Sequence, residues 1–244
     1  MITSVQNPLV RHSVKLRENR GYREEHGSVI VAGLKLIREI ATQTPARKIF
    51  VENGFEISFK GEIHQVTHAV LKKITGLPAP EPIAAEFPLP KAASLIHSAP
   101  LLALDAIRDP GNLGTLIRTA LAFGWAGVFF LPTCVDPFND KVIRSSRAAL
   151  FRLPWRMGSW EELTEIKEKN NLTAYIADTA GKLVSSIEPD KRGLLLLSNE
   201  AQGVRHPAEE FGQKITIPMG GDMESLNVAI AGGILMYCLG TGQK

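Results

Sequence analysis

From residue 101 onward, short unbroken apolar runs alternate with helix-like segments, and this pattern constrains the fold more than any other feature. The runs are 101–106, 128–131, 174–177, 194–197 and 215–217; helices are expected at 113–123, 140–149, 160–169, 206–211 and 226–239. A strand with one wet face alternates apolar and polar residues. Strands that are apolar throughout need cover on both faces, as in a parallel sheet flanked by helices. The pattern predicts a doubly wound α/β domain. No Gly-x-Gly-x-x-Gly follows a strand and no P-loop sequence occurs, which argues against a dinucleotide- or nucleotide-dependent enzyme.

Three of the strands end in polar clusters. The first runs from Asp105 through Asp109-Pro110-Gly111-Asn112 to Arg118, and the second is Ser198-Asn199-Glu200-Ala201-Gln202-Gly203. The third is Ile215-Thr216-Ile217-Pro218-Met219, followed by Ser225-Leu226-Asn227. Ligands of open α/β sheets bind outside the carboxyl ends of strands, so three such ends suit a composite site. Ser225 is placed to cap the final helix, 226–239. That helix is apolar nearly all round and must be buried in a core or against a second subunit.

In order and spacing, across roughly residues 100 to 240, these segments resemble the three motifs of the SpoU/TrmH family of RNA ribose methyltransferases, part of the SPOUT class. The resemblance implies a deep trefoil knot in the last third of the domain and a homodimer formed through it. It also implies S-adenosylmethionine as cofactor, held at Ser198, Asn199, Glu200, Gly203, Ile217, Met219 and Leu226. Gly203 permits close backbone approach, and Ile217 and Leu226 suit the flanks of an adenine. The catalytic group it implies is Asn112, Arg118, Glu200, Ser225 and Asn227, with no metal. Asn112 either holds a ribose or locks the loop after Pro110-Gly111; Asn227 either completes the polar cluster or satisfies local backbone groups. Arg118 matches the arginine proposed as general base in that family. A guanidinium keeps its proton to above about pH 12, so the alternative is that it binds a phosphate and orients the hydroxyl. Glu200 at a strand end is costly unless paired, and Arg118 is the expected partner.

The preceding segment alternates differently. A helix is expected at 5–20, entered through Asn7-Pro8, with strands at 29–32, 49–51, 63–66 and 82–85 and helices at 34–42 and 68–74. Residues 1–86 thus form a small α/β domain, 87–100 a proline-bearing linker, and 101–244 the larger domain. The small domain resembles the ribosomal-protein-like substrate-binding domain preceding many SpoU-type catalytic domains, with Ala32 where a glutamate is usual. Its resemblance to the rRNA-acting branch favours ribosomal over transfer RNA. A non-catalytic RNA-binding protein on the same fold is the remaining alternative, opposed by the intact catalytic set.

Net charge is only +3, but 13 basic residues face 9 acidic ones up to Ser94, against 15 and 16 beyond it. Arg11, Lys15, Arg17, Arg20 and Arg23 form one basic cluster; Lys141, Arg144 and Arg147 form another at helical spacing, which would share a face. RNA affinity rests on neutralising phosphates, so both are candidate RNA contacts, with a solvated surface as the alternative. Cys134 and Cys238 are far apart, without metal-ligand spacing, and fit buried small residues in a reducing cytoplasm. No apolar run reaches the roughly 18 residues of a membrane span, and residues 1–6 show no secretory h-region.

Overall fold

The computed structural model describes residues 1–198, 208–221 and 224–240. Two compact units emerge: residues 1–90 with 138–148, and residues 91–137 with 149–244.

The first unit opens with α1 (Pro8–Glu18), inside the helix expected at 5–20, and α2 (Arg20–His26), a second helix that was not expected. Asn19 causes the break: it ends α1 in extended conformation and its side chain accepts from the Tyr22 N–H at the start of α2. Asn7 caps α1 through Leu9 N–H, with Pro8 at the first helical position. Strand β1 (Ser28–Ala32), helix α3 (Leu34–Ala41), β2 (Lys48–Glu52), β3 (Glu62–Val66), α4 (His68–Thr75) and β4 (Ile83–Pro88) follow. The sheet order is β1-β4-β2-β3, antiparallel except for β2 and β3. Val10, Leu16, Ile30, Phe50, Val70, Leu71 and Ile74 fill the core between helices and sheet.

The second unit carries β5 (Leu101–Asp105), α5 (Pro110–Ala122), β6 (Gly127–Phe130), β7 (Trp155–Met157), α7 (Trp160–Asn170), β8 (Thr173–Leu183), β9 (Gly193–Ser198), α8 (Ala208–Phe211), β10 (Gln213–Thr216) and α9 (Val228–Leu239). Helix α6 (Asp140–Ser145) lies in the segment that belongs to the first unit. The sheet order is β10-β8-β9-β5-β6-β7 and every pairing is parallel, as the apolar runs require. All five residues of β5 and the first five of β9 are buried. Strand β7 escapes sequence reading because its three residues are only half-buried and carry no apolar pattern.

Three local findings correct the sequence reading. The cap of α9 is Asn227, not Ser225: its Oδ1 accepts from the N–H groups of Ala229 and Ile230. Helix α6 stops at Ser145, and Arg147 sits at φ 53° outside it, so Lys141, Arg144 and Arg147 do not share one helix face. Helix α9 is buried on one side only: Gly232, Leu235, Met236 and Leu239 are covered, whereas Ile230 (57% exposed), Ile234 and Tyr237 (61%) lie open.

Candidate active site

The carboxyl ends of the second unit's strands are built for ligand access. Strand β5 ends at Asp105, and Asp109 then caps α5 by accepting from the Asn112 N–H at 2.7 Å. That fixes Asn112 in the helix's first turn. In α9 the neighbouring cap, Asn227, turns its Nδ2 toward Asn112 and donates to Oδ1 at 3.1 Å. Two motifs separated by 115 positions are thereby joined by one side-chain hydrogen bond. Asn227 thus caps the helix and, through the same side chain, hydrogen-bonds Asn112.

Beside this pair lies a cavity of about 440 Å³ within the second unit. This is within the range of small-molecule sites, about 300–1,000 Å³. Ser198, Ile217, Met219 and Leu226, four of the residues expected at the cofactor, line it together with Ser225 of the expected catalytic group. Leu197, Ile215, Val228, Ala231 and Leu235 make up much of the apolar wall. Ala177, Asp178 and Thr179, from the end of β8, also line it and were missed by sequence reasoning, as was Glu224. The signal existed, because β8 was visible as an apolar run and its carboxyl end obeys the same rule as the other three.

Asp178 is the best-defined charge in that wall. Its Oδ1 accepts from the Ala180 N–H at 2.9 Å, and its Oδ2 stands 3.2 Å from Lys214 Nζ. The backbone hydrogen bond, aided by Lys214 and opposed by partial burial, holds this carboxyl below the usual carboxylate range. It is anionic at neutral pH.

Arg118 lies exposed on α5 and forms no ion pair among the described residues. Its expected partner Glu200 falls outside the described residues, as do Asn199 and Gly203. Asp105 is 1% exposed; its Oδ1 accepts from Thr133 Oγ1 at 2.6 Å, while Oδ2 has no hydrogen-bond partner among the described residues. Cys134 is buried, with its thiol pushed up to about 12 by desolvation, and Cys238 is half-buried. Neither has a metal-binding cluster around it among the described residues.

The basic residues divide into engaged and open groups. Arg17 donates to the carbonyls of Lys73 and Ile74 at the end of α4, both at 3.0 Å. Arg23 is buried and donates to the carbonyls of Leu16 and Arg17. Arg20 pairs with Glu24, Arg144 with Asp140 and Arg147 with Glu39. Arg11, Lys15 and Lys141 lie exposed, Lys15 with its ammonium 5.3 Å from the Tyr22 ring centroid.

Residues 99–237 match the model of the SpoU rRNA Methylase family. The chain belongs to that family. Residues 7–85 of this SpoU chain match the MRM3-like substrate binding domain. It is 30% identical to the 23S rRNA (guanosine(2553)-2'-O)-methyltransferase RlmP of Bacillus subtilis, over 98% of each chain. It is also 30% identical to an uncharacterized tRNA/rRNA methyltransferase of Synechocystis, covering 97% of this chain and 92% of that one. Among solved structures, the AdoMet-bound rRNA methyltransferase of Sinorhizobium meliloti superposes with a TM-score of 0.87 at 28% identity, over 98% of this chain and 96% of that one. The α/β fold expected from the motifs is therefore the fold found. No helix among the described residues is long and apolar enough to cross a membrane.

Proposed function

We propose that this SpoU chain methylates a ribose 2'-hydroxyl of ribosomal RNA, with S-adenosylmethionine as the methyl donor. The observation that carries the reading is the cavity at the strand ends, lined by residues of the second and third motifs and flanked by the Asn112–Asn227 pair of the first and third. The residues present fit this donor: an apolar wall for a purine, and carboxylates at Asp178 and Glu224 for a molecule with hydroxyl and cationic groups. When bound, the donor would supply a sulfonium methyl to the ribose oxygen and leave as the neutral thioether, the hydroxyl proton passing to solvent.

The chain's own part is positioning, which is worth several kcal/mol when reacting atoms are held in line. Leu197, Ile217 and Leu226 enclose the donor's base and exclude water. Asn227 is rigid because α9 depends on it as a cap, and it in turn orients Asn112 toward the incoming ribose. Arg118, exposed on α5 and without an ion pair among the described residues, is available to hold the phosphate beside that ribose and to orient the hydroxyl. Glu200, Asn199 and Gly203 complete the site in this reading. Arg11, Lys15, Arg20 and Lys141, exposed cations of the first unit, are its RNA contacts, together with Arg144 and Arg147 of the same unit.

The choice of ribosomal over transfer RNA rests on the substrate-binding domain matched by residues 7–85 and on RlmP's named substrate. The same proposal includes a trefoil knot, a cytoplasmic setting and a homodimer through the second unit. An open face formed by Ile230, Ile234 and Tyr237, with Phe123 5.8 Å from the Tyr237 ring, supports the dimer. Incubation with methyl-labelled S-adenosylmethionine and, separately, rRNA and tRNA tests the reading. Label entering rRNA and lost with Arg118→Ala is expected; label only in tRNA overturns the substrate, and label in neither overturns the reaction.

A further inference from the structure

Resting on the methyl-donor reading above, we propose that Asp178 is the anchor for the ribose diol of the bound donor, and so decides how the adenosine is seated in the cavity.

The register of the sheet places it. Ala174, Tyr175 and Ile176 of β8 pair with Leu194, Leu195 and Leu196 of β9. That register ends at Ile176, where β8 bulges: Lys214 of β10 pairs with Ile176 but the next residue, Ile215, pairs with Lys182, so Asp178 lies in the bulge between them. Asp178 of β8 and Ser198 of β9 both line the cavity, and Ser198 pairs with Asp105 of β5 on its other side. Strand β9 lies between β8 and β5, so with strands about 4.8 Å apart β8 runs about 10 Å from β5. Helix α5 and Asn112 follow β5, so the reacting sulfur belongs on the β5 side of the cavity. The part of the donor that meets Asp178 is remote from the reacting methyl.

Charge narrows the choice of group. Asp178 is faced by Lys214 at 3.2 Å, so the pair presents no net charge to the cavity and offers little to a cation. Among the described residues each carboxylate oxygen has one donor, the Ala180 N–H on Oδ1 and the Lys214 ammonium near Oδ2, and each has a further lone-pair direction. Two adjacent acceptors match the spacing of a cis-diol, which needs acceptors and carries no charge. Gly181 secures the placement: a Cβ there would fall 2.5 Å from the Ile215 nitrogen, so β8 and β10 touch just beyond Asp178. The carboxylate is held by backbone on one side and by a neighbouring strand on the other.

The test is calorimetry on the full chain with S-adenosylhomocysteine, 5'-methylthioadenosine and the 2'- and 3'-deoxy forms of the latter. Asp178→Asn keeps an acceptor for the Ala180 N–H, and Lys214→Met leaves the carboxylate in place. Hydrogen bonds to charged acceptors are the strong class, so the unaltered chain should bind each deoxy form about tenfold more weakly than the ribose form. Asp178→Asn should lose about tenfold for both ribose ligands and most of its preference over the deoxy forms, whereas Lys214→Met should keep that preference. Equal affinities in the unaltered chain and Asp178→Asn overturn the inference. So does a loss confined to S-adenosylhomocysteine, which would assign Asp178 to the amino-acid tail. Absence of binding by the unaltered chain overturns the methyl-donor reading and this inference with it.

Discussion

Adjacent glycines in α9 should respond to the same substitution with opposite signs. Both are helical, so alanine at either position recovers the helix propensity that glycine forfeits, about 0.5–1 kcal/mol. They differ in surroundings. A Cβ on Gly232 would sit 2.4 Å from Leu116 Cδ2 and 2.6 Å from Leu197 Cδ1, whereas on Gly233 the nearest atom is Thr119 Cγ2 at 3.9 Å. Leu116 and Leu197 are 0% and 1% exposed and cannot swing aside freely. Overpacking of this kind costs about 1–3 kcal/mol. Propensity cancels between the two variants, so their difference is the steric cost alone. At about 2–4 °C per kcal/mol for a chain of this size, Gly233→Ala should melt a few degrees to about ten degrees above Gly232→Ala. Because Leu197 lines the cavity, Gly232→Ala should also weaken S-adenosylhomocysteine binding, and Gly233→Ala should leave it unchanged. Differential scanning calorimetry and titration calorimetry read both effects. Equal melting temperatures, or a more stable Gly232→Ala, would refute the packing argument.

Other outcomes follow from the same geometry. Thr133→Val removes the hydroxyl that serves buried Asp105 and should cost about 3 kcal/mol in denaturant unfolding, against under about 0.5 for exposed Arg118→Ala, which should instead abolish turnover. Arg23→Met should lower the stability of the chain, whereas Arg11→Ala should leave stability intact and reduce the salt slope of RNA binding by about 1, measured by filter binding. Acidification should destabilise the first unit in two steps. Burial lowers His12 below its ordinary value of 6.5, so its contribution is lost as pH falls from that value toward the folded one. Burial pushes Glu86 up, but the Lys48 and Ser28 hydrogen bonds and the Lys48 charge outweigh it, so its contribution is lost only below its ordinary value of 4.5. Melting of the unaltered chain and His12→Asn between pH 7.5 and 5 separates them: the variant should show the shallower dependence.

What was legible in the sequence was what periodicity and strand-end chemistry control. The apolar strands β5, β6 and β9 fall within one or two residues of expectation because burial on both faces leaves no other composition for them. Ser198, Ile217, Met219, Ser225 and Leu226 reach one cavity for the same reason: they follow strand ends. Features set by single side-chain hydrogen bonds were not legible. Asn19 opens a second helix that was not expected and Asn227 displaces Ser225 as a cap, and both choices turn on which oxygen reaches an N–H. Arg147 leaves its helix face through a positive φ that no residue pattern announces. Arg17 and Arg23 read as surface charge in sequence, yet their guanidiniums satisfy helix-end carbonyls, a use that composition cannot distinguish from phosphate binding.

The central claim is that the methyl group arrives on a ribose oxygen rather than on a base, and alkali reports this directly. Hydrolysis of RNA requires a free 2'-hydroxyl, so a 2'-O-methyl nucleotide survives joined to its neighbour. Ribosomal RNA labelled by the purified chain should release its label in alkali-resistant dinucleotides; label recovered in mononucleotides would place the methyl on a base and contradict the account.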